Sequence, residues 1–456
     1  MINKTISVIG LGYIGLPTAA IFAVQKTKVI GIDINQHTVD TINQGRIHIV
    51  EPGLDSIVHT AVTAGYLRAS TQPEPADAFL IAVPTPFKED YKPDLSYIQA
   101  AAKSIANVLK RGDLIILEST SPVGTTEKMV EWLKQWREDL KFANAKSEDC
   151  DVYIAYCPER ILPGQVIREL VENDRLIGGI NNISTQKAKD IYKIFVKGEL
   201  IPTNVRTAEM AKLTENAYRD VNIAFANELS LICDKLDINV WELIRVANHH
   251  PRVNILQPGP GVGGHCIAVD PWFIVHSAFE QTRLIRSARE INDSKPFWVI
   301  QQVNQAIENL NQQGMSKKDI KITCLGLAFK PDIDDLRGSP ALDITLGLAQ
   351  LYPGQILAVE PNIEHVPTQI HASAIPLVTL ETAIAKSHIL VFLVAHKDFN
   401  QSTNIQSERP INQLIIDTVG AYNRQPCRLV STNKSKTQHN LPLPKITLPE
   451  TLSHEH

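Results

Sequence analysis

The sequence predicts an α/β protein with two Rossmann-like, doubly wound domains joined by a long central helix. Three observations predict this fold. A glycine-rich turn between an apolar run and a helical pattern opens the chain at residues 10–15, and a helical pattern without glycine or proline covers residues 207–236. Strand and helix patterns alternate again from residue 320 onwards. Alternating strands and helices build parallel sheets, so each alternating region is expected to form one such domain.

The first turn has the pattern of a dinucleotide-binding site. Gly10, Gly12 and Gly15 form the spacing G-x-G-x-x-G between a strand pattern and a helical pattern, which places a pyrophosphate on a helix N-terminus. Asp33 follows 18 residues after Gly15, at the end of the second predicted strand. Its carboxylate can bind both ribose hydroxyls and would repel a 2′-phosphate, so NAD is favoured over NADP. The alternative is an aspartate that caps a helix in an ordinary loop.

Three further apolar runs extend the first sheet, over residues 78–83, 114–118 and 152–156. In an open parallel sheet, ligands bind beside the carboxyl ends of the strands. The residues that follow these runs are therefore candidates for a cofactor and substrate cleft. These candidates are Thr85, Thr120, Glu159 and Arg160.

The central helix carries polar residues at helical spacing. Lys212, Asn216 and Arg219 are four and three residues apart, which places them on one face. Solvated helix surfaces often have such spacing. Here the helix lies between a cofactor domain and a cysteine loop, which favours a catalytic face. A second helical pattern covers residues 285–310 and is interrupted only by Pro296.

Cys266 ends a turn that is unusually rich in glycine. Four glycines stand within residues 259–264, directly before His265 and Cys266. Glycine loses the most backbone entropy on folding, so such a loop is typical where backbone approaches a ligand closely. A lone cysteine is more often a small buried hydrophobe. The glycines, and Asp270 four residues later, favour a reactive thiol instead.

These residue types suggest one reaction. Hydride removal from a primary alcohol gives an aldehyde, and a thiolate adds to it as a thiohemiacetal; loss of a second hydride gives a thioester that water hydrolyses to an acid. Such a route needs a nucleophile, which Cys266 supplies. It also needs a cation or donor for the developing alkoxide, from Lys212 or Asn216, and a base for water, from Asp270 or Glu159.

A second α/β domain is predicted after the central helices. Strands are expected over residues 320–325, 355–359, 389–394 and 414–417, with a helix over residues 340–351. The first turn of this domain lacks the three-glycine fingerprint, so it can hold a nucleotide but is not expected to bind a second dinucleotide. The predicted units are a cofactor domain (1–200), a central helical domain (201–312), a second Rossmann-like domain (313–427) and a disordered tail (428–456).

The composition limits the kinds of partner that this chain is expected to bind. A net charge of -4 over 456 residues offers no basic field for nucleic acid or for an anionic membrane. No apolar run approaches the roughly 18 residues that cross a bilayer, and no signal-peptide layout is recognised, so a cytoplasmic protein is expected. The six cysteines show no metal-ligand spacing and are expected to be reduced thiols, with no metal site.

Six segments resemble, in order, the motifs of the UDP-glucose/GDP-mannose dehydrogenase family. They are GLGYIGLPTA, ESTSPVGTT, CPERILPG, AEMAKLTENAYRDVNIAFANELS, HPRVNILQPGPGVGGHCIAVDPWF and GLAFKPDIDDLRGSP, which together span nearly all of residues 5–425. Members of this family are NAD-dependent enzymes that oxidise a sugar nucleotide at C6 in two steps. The resemblance implies two Rossmann-like domains joined by a long helix that also forms a homodimer interface.

The resemblance also implies roles for residues of this sequence. Catalytic roles fall on Cys266 as nucleophile and Lys212 as acid/base group, assisted by Asn216, Asp270, Thr120 and Glu159. NAD contacts are implied, beside the fingerprint glycines, for Tyr13, Ile14, Asp33, Thr85, Thr126 and Arg337. Sugar-nucleotide contacts are implied for Arg160, Ile161, Lys212, Asn216, Arg219, His250, Arg252, Gly263, Phe329 and Lys330.

Within the family, the motifs are most similar to those of members that oxidise UDP-N-acetyl-D-mannosamine. The implied product is UDP-N-acetyl-D-mannosaminuronate, for bacterial surface polysaccharides such as enterobacterial common antigen. Val269 stands where UDP-glucose enzymes usually carry a lysine, which argues against UDP-glucose. The alternatives are C6 oxidation of UDP-GlcNAc, UDP-glucose or GDP-mannose, a two-electron hydroxyacid dehydrogenase, and a non-catalytic NAD-binding regulator. Two, one or no NADH per substrate separates these three classes.

Overall fold

The structure is a computed structural model that describes residues 4–88, 91–161, 164–264, 266–363, 367–400 and 413–422. Both Cys427 and the predicted disordered tail, residues 428–456, lie outside these described residues. None of the helices in the described ranges combines the length and the hydropathy needed to span a bilayer.

The first domain is built on an eight-stranded sheet with the order β3-β2-β1-β4-β5-β6-β7-β8. Neighbouring strands are parallel except for β6 and β7, which pair antiparallel. The strands are β1 (Thr5–Ile9), β2 (Lys28–Ile32), β3 (Leu67–Ser70), β4 (Ala78–Ile81), β5 (Leu114–Leu117), β6 (Tyr153–Tyr156), β7 (Arg175–Gly179) and β8 (Leu200–Asn204). The predicted strand over 78–83 is two residues too long, because Val83 N–H donates to the Ser119 hydroxyl, at 2.9 Å, instead of to a strand.

Helices cover both faces of this sheet and bury two apolar clusters against it. These helices are α1 (Gly15–Val24), α2 (Gln36–Asn43), α3 (Leu54–Thr63), α4 (Ser96–Ala106), α5 (Thr125–Trp136), α6 (Val166–Glu172) and α7 (Asn182–Tyr192). The central strands β1, β4, β5 and β6 are nearly continuous apolar runs, as expected for strands that are buried on both faces. The doubly wound, Rossmann-like arrangement predicted from the sequence is confirmed.

Two long helices form the centre of the molecule. The helix α8 (Val205–Leu236) has 32 residues and packs against α10 (Asp270–Ser277) and α11 (Arg283–Gln312), while α9 (Val240–Ala247) follows α8 directly. The predicted interruption at Pro296 is wrong, because α11 continues through it over 30 residues. A proline costs the helix one backbone hydrogen bond. Contacts with α8, such as the 2.8 Å bond from the buried Lys295 to Ser230, hold this part of the helix against its neighbour.

The third domain has a four-stranded, fully parallel sheet with the order β10-β9-β11-β12. Its strands are β9 (Ile322–Leu325), β10 (Ile356–Val359), β11 (Ile389–Phe392) and β12 (Leu414–Asp417). Its helices are α12 (Pro340–Leu351), α13 (Thr368–Ala372), α14 (Leu380–Lys386) and α15 (Lys397–Asn400). The bounds predicted for α12 and β12 are confirmed. The central helix α11 packs onto this sheet.

Candidate active site

The fingerprint turn has the geometry that a dinucleotide needs. Gly10 has a φ of +90°, and a Cβ there would lie 2.6 Å from the Ala82 carbonyl oxygen. A Cβ at Gly15 would lie 1.8 Å from the Gly10 carbonyl oxygen, which only glycine avoids. At Gly12, in contrast, no heavy atom lies within 4 Å of a Cβ, so the space above the turn is open to a pyrophosphate. The turn therefore fits NAD.

Asp33 lies at the end of β2, where its carboxylate already orders the fingerprint turn. Its Oδ2 accepts a hydrogen bond from Leu11 N–H at 3.0 Å, and its Oδ1 accepts one from Asn35 N–H at 2.9 Å. Each oxygen keeps a second lone pair, and the side chain is only half-buried. No side chain caps the N-terminus of α1, after Ile14, so this helix end is free to bind an anion.

Two threonines that are candidates for NAD contact make protein contacts in the structure. Thr85 donates from Oγ1 to the Thr120 carbonyl oxygen at 2.7 Å, which joins the ends of two neighbouring strands. Thr126 is fully buried, and its hydroxyl donates to Glu209 Oε1 at 2.7 Å. Glu209 of α8 also accepts from Gly124 N–H at 2.6 Å, so it caps α5. The sequence interpretation missed Glu209, and a carboxylate near the start of α8 was its only signal.

Arg337 of the third domain contacts the fingerprint turn of the first domain. Its guanidinium lies 5.2 Å from the centre of the Tyr13 ring, within the range of a cation–π contact. Asp335 holds the guanidinium from the other side through a 2.7 Å ion pair. Residues of the first and third domains that were both expected to contact NAD therefore meet across one cleft.

Cys266 lies where the thiol loop, defined as residues 258–264 and 266, meets α10. Of the five cysteines in the described part of the chain, it alone is exposed. Its carbonyl oxygen accepts hydrogen bonds from Val269 and Asp270 N–H at 3.0 and 2.9 Å, which fixes the loop to the start of α10. Although part of the residue is exposed, the protein packed around the sulfur partly desolvates it, and this desolvation raises the pKa of the thiol. The Lys212 ammonium opposes this rise, whereas the Asp270 carboxylate adds to it.

Packing of α8 against α10 brings the candidate catalytic side chains together. Asn216 donates from Nδ2 to Asp270 Oδ2 at 2.5 Å, although 54 residues separate them. Lys212 is 8% exposed, one turn away on the same helix face, and forms no ion pair within the described ranges. Burial raises the pKa of Asp270 to about 6, while the Lys212 charge and the Asn216 hydrogen bond act against that rise. The thiol is therefore coupled to a cation and to a carboxyl poised near neutral pH, and this carboxyl accepts from the Asn216 amide.

This pKa predicts how stability depends on pH. The ordinary pKa of the carboxyl is 3.8, and its folded value is about 6, so the native state binds the proton more tightly. The free energy of unfolding should therefore fall as pH rises from about 4 to about 6, by up to about 3 kcal/mol. Asp270→Asn removes the titration and keeps an oxygen for Asn216. Urea unfolding at pH 4.5 and pH 8 should show a smaller loss of stability in this variant than in the wild type.

Asp55→Asn is the matched control, because Asp55 is exposed in the first turn of α3. It should keep the wild-type difference between pH 4.5 and pH 8. Equal differences in Asp270→Asn and the wild type would contradict the assignment of a raised pKa to Asp270.

The glycines of the thiol loop allow it to touch the third domain. A Cβ at Gly263 would lie 2.5 Å from the Gly338 carbonyl oxygen and 3.0 Å from Phe329 Cβ. Gly264, with a φ of +86°, donates its N–H to the same carbonyl oxygen at 3.3 Å. The Lys330 ammonium lies 5.8 Å from the centre of the Phe329 ring. Three candidates for substrate contact are therefore neighbours in the structure: Gly263, Phe329 and Lys330.

Glu159 belongs to a separate buried cluster in the first domain. Its Oε2 forms a 2.7 Å ion pair with Arg175, which also pairs with Glu118 Oε1 at 2.8 Å. Burial raises the pKa of Glu118 to about 7, against the opposing effects of Arg175 and of a hydrogen bond from Tyr192. Within the described residues, no hydrogen bond or ion pair joins Glu159 to the thiol loop. The sequence interpretation missed Arg175, which opens an otherwise apolar strand.

The remaining candidates for sugar-nucleotide contact are spread over the surface of the chain. Arg160 forms a 2.8 Å ion pair with Glu215 of α8. Ile161 packs on the apolar core of the first domain. The other three candidates are exposed and, among the described residues, make no hydrogen bond to the thiol loop: Arg219, His250 and Arg252.

The fold and the fingerprint turn define an NAD-dependent dehydrogenase. Sequence profiles of the UDP-glucose/GDP-mannose dehydrogenase family match this chain in three parts: the NAD binding domain at residues 4–196, the central domain at 206–294 and the UDP binding domain at 323–424. Together these matches cover well over half of the chain. The chain therefore belongs to the UDP-glucose/GDP-mannose dehydrogenase family.

Individual relatives are similar over almost their whole length. The UDP-N-acetyl-D-mannosamine dehydrogenase of Escherichia coli K12 is 60% identical over 419 residues, which are 92% of this chain and 99% of that protein. An NDP-N-acetyl-D-galactosaminuronic acid dehydrogenase of Ralstonia nicotianae is 58% identical over 419 residues, 92% of this chain and 96% of that protein. The solved UDP-D-ManNAc dehydrogenase of Pyrococcus horikoshii matches with a TM-score of 0.82 at 36% identity, covering 93% of this chain and 98% of that one.

Proposed function

We propose that this chain oxidises UDP-N-acetyl-D-mannosamine at C6 to UDP-N-acetyl-D-mannosaminuronate in two NAD-dependent steps. The product would serve bacterial surface polysaccharides of the enterobacterial common antigen type. One observation carries the proposal: the exposed Cys266 lies beside Lys212 and Asp270 at the contact between the central helices and the third domain. The Escherichia coli relative, at 60% identity, supports the choice of sugar.

Bound NAD would accept the hydride in each oxidation. In the first oxidation the substrate hydroxyl gives up its proton to solvent as the hydride leaves. The Lys212 ammonium stabilises the alkoxide, because it is nearly buried and forms no ion pair with any described residue. The Asn216 amide, oriented by Asp270, is a neutral donor for the same oxygen. These two side chains project from one rigid helix, which keeps their spacing fixed during the reaction.

Cys266 then acts on the aldehyde. Its sulfur forms a bond to the carbonyl carbon, and the carbonyl oxygen takes up the proton, which gives a thiohemiacetal. Loss of a second hydride, together with release of the hydroxyl proton to solvent, leaves a thioester. Asp270 accepts a proton from water at near-neutral pH, because its raised pKa matches that task. Water then replaces the sulfur, and the acid and the free thiol are released.

The count of NADH and the choice of sugar test this proposal together. Purified protein should form two NADH per molecule of UDP-N-acetyl-D-mannosamine, and more slowly or not at all with UDP-GlcNAc, UDP-glucose, GDP-mannose or an N-acetylgalactosamine nucleotide. One NADH per molecule would identify a two-electron dehydrogenase, and none would identify a regulator. A preference for the N-acetylgalactosamine nucleotide would instead match the name of the Ralstonia relative. Such a difference is small, because a single pocket contact discriminates between two sugar epimers by about 1 to 3 kcal/mol.

We propose that Asp33 selects NAD. Its oxygens already hold the fingerprint turn and have lone pairs left for the ribose hydroxyls. Asp33→Ala should raise the KM for NAD, because the hydrogen bonds to the ribose hydroxyls are lost. It should also lower the ratio of kcat/KM for NAD to kcat/KM for NADP, because the 2′-phosphate is no longer repelled. Steady-state kinetics with both cofactors measure this. An unchanged ratio of the two kcat/KM values would contradict the proposal, and Asp40→Ala, on the neighbouring helix α2, is the control.

We propose that the chain forms a homodimer through α8. Tyr218, Phe225 and Ile232 repeat at seven-residue spacing on this helix and are 69%, 52% and 46% exposed, which makes one apolar stripe. A stripe on one helix can pair with its own copy across a two-fold axis. Phe225→Glu should shift the mass in sedimentation toward the monomer, while Leu351→Glu, an equally exposed site on α12, should not. Equal masses for the two variants would contradict this interface.

A further inference from the structure

We propose that Asn227 is a positioning residue for Cys266, because its side-chain amide fixes the start of the thiol loop to the crossing of α8 and α11. The inference rests on the proposed role of Cys266 as nucleophile. Asn227 itself lies on α8, fifteen residues after Lys212, and is not a residue that touches the reacting atoms.

The amide of Asn227 is fully buried and uses both of its polar atoms. Its Oδ1 accepts a hydrogen bond from Gly259 N–H of the thiol loop at 2.9 Å. Its Nδ2 donates to Asn292 Oδ1 of α11 at 2.8 Å. One side chain of α8 therefore connects the loop to the neighbouring helix.

The surroundings of Asn292 determine which way the Asn227 amide points. Asn292 donates from Nδ2 to the carbonyl oxygen and to Oδ1 of Asp220, at 3.1 and 2.8 Å. The Asp220 carboxylate is itself held by Arg289 in a 2.6 Å ion pair. Because Nδ2 of Asn292 must face these acceptors, its Oδ1 faces Asn227 and demands a donor there. The amide oxygen of Asn227 is left facing the loop, where Gly259 supplies the matching N–H.

Gly259 supplies the one backbone N–H among the first three residues of the thiol loop. Pro258 and Pro260 flank Gly259 and lack an N–H, so the bond to Asn227 is the one backbone donor bond available to these three residues. The other end of the loop is attached to a different body, through the bond from Gly264 N–H to the Gly338 carbonyl oxygen. The loop thus spans from the helix crossing to the third domain, with Cys266 just beyond its second attachment.

This arrangement predicts that Asn227 affects catalysis through the position of the thiol. A displacement of about 1 Å of a reacting group can cost about 100-fold in rate. Asn227→Ala removes the acceptor for Gly259 and should lower kcat by about 10- to 100-fold while leaving the KM for NAD unchanged, because the fingerprint turn is not touched. The rate of Cys266 alkylation by iodoacetamide should change by at least about threefold for the same reason.

Two further variants separate positioning from general stability. Asn292→Ala removes three hydrogen bonds from the helix crossing but leaves the Asn227 oxygen available to Gly259, so it should lower Tm while kcat stays within about threefold of the wild type. Asn309→Ala removes a half-buried asparagine further along α11, whose amide oxygen accepts from Gln305 on the helix surface, and should change neither quantity. Equal losses of kcat in Asn227→Ala and Asn292→Ala, or a kcat of Asn227→Ala within about threefold of the wild type, would overturn the proposal.

Hydrogen exchange in the wild-type protein gives a test that does not depend on a variant folding. The segment from Pro258 to Pro260 contains a single exchangeable amide, that of Gly259, so mass spectrometry of a peptide pair can isolate it. This amide should be protected relative to an unstructured peptide. Exchange at the unstructured rate would overturn the inference even if Cys266 is the nucleophile. Conversely, acid formation by Cys266→Ser at the wild-type rate would refute the role of Cys266 as nucleophile, and the protection of Gly259 would still report whether Asn227 holds the loop.

Discussion

Cys266→Ser is expected to abolish formation of the uronic acid while the protein still folds and binds NAD. The change is nearly isosteric, and the side chain is exposed, so little packing is lost. A serine hydroxyl is a far weaker nucleophile than a thiolate, and any oxyester that it forms hydrolyses more slowly than the thioester of normal turnover. The measurement is the yield of acid and of NADH per sugar in a long incubation. An oxyester that accumulates should be visible as a mass increase on the intact protein.

Cys150→Ser is the matched control, because Cys150 is only half-buried and lies far from α10 along the chain. It should retain acid formation and should leave iodoacetamide inactivation unchanged, whereas Cys266→Ser should be resistant to this reagent. Acid production by Cys266→Ser at the wild-type rate would remove the covalent route. The reaction would then have to pass through a hydrated aldehyde.

Lys212→Ala is expected to lower kcat by about 100- to 1000-fold, the usual cost of one group that stabilises charge in the transition state. Because this interaction is made chiefly in the transition state, kcat should fall more than KM rises, and binding of the UDP-sugar should persist. The side chain is 8% exposed and electrostatically coupled to both Cys266 and Asp270. Its loss removes the positive charge that opposes the raised pKa of each of these groups.

The consequence can be read in the pH profile as well as in the rate. Without Lys212, the pKa of Cys266 and the pKa of Asp270 should both move further upward, so residual activity should rise at higher pH than in the wild type. Lys235→Ala, in the exposed last turn of α8, is the control and should behave as wild type. A kcat of Lys212→Ala within about threefold of wild type would mean that this face of the helix is not catalytic.

Several features were predictable because they depend on residues that are close in sequence. The fingerprint turn, α8, α12 and β12 were predicted from periodicity and turn residues, and their positions are confirmed within a few residues. Asp33 follows its strand at a spacing that a local βαβ unit imposes. The glycines before Cys266 predicted a loop whose backbone approaches a ligand closely, and that stays a prediction. In the structure, the same glycines let the loop approach the third domain at Gly338.

The buried polar contacts were decided by tertiary packing. Glu209 caps a helix that lies 83 residues earlier in the chain, at Thr126, and Asn216 meets Asp270 across 54 residues. Such pairs arise because each buried polar group must find a partner, and the partner is whatever the fold brings near it. Periodicity along one segment does not contain that information.

The sequence by itself determined the fold class, the NAD fingerprint and the residue types of the candidate site. Local propensities, glycine conformations and helical spacing are properties of short segments, and they survive in any fold that contains them. Only the tertiary structure decided that α11 continues through Pro296, that Glu159 pairs with Arg175, and that Asn227 points its oxygen at the thiol loop. Each of these outcomes depends on contacts between residues distant in sequence, whose burial makes an unpaired polar group too costly to leave.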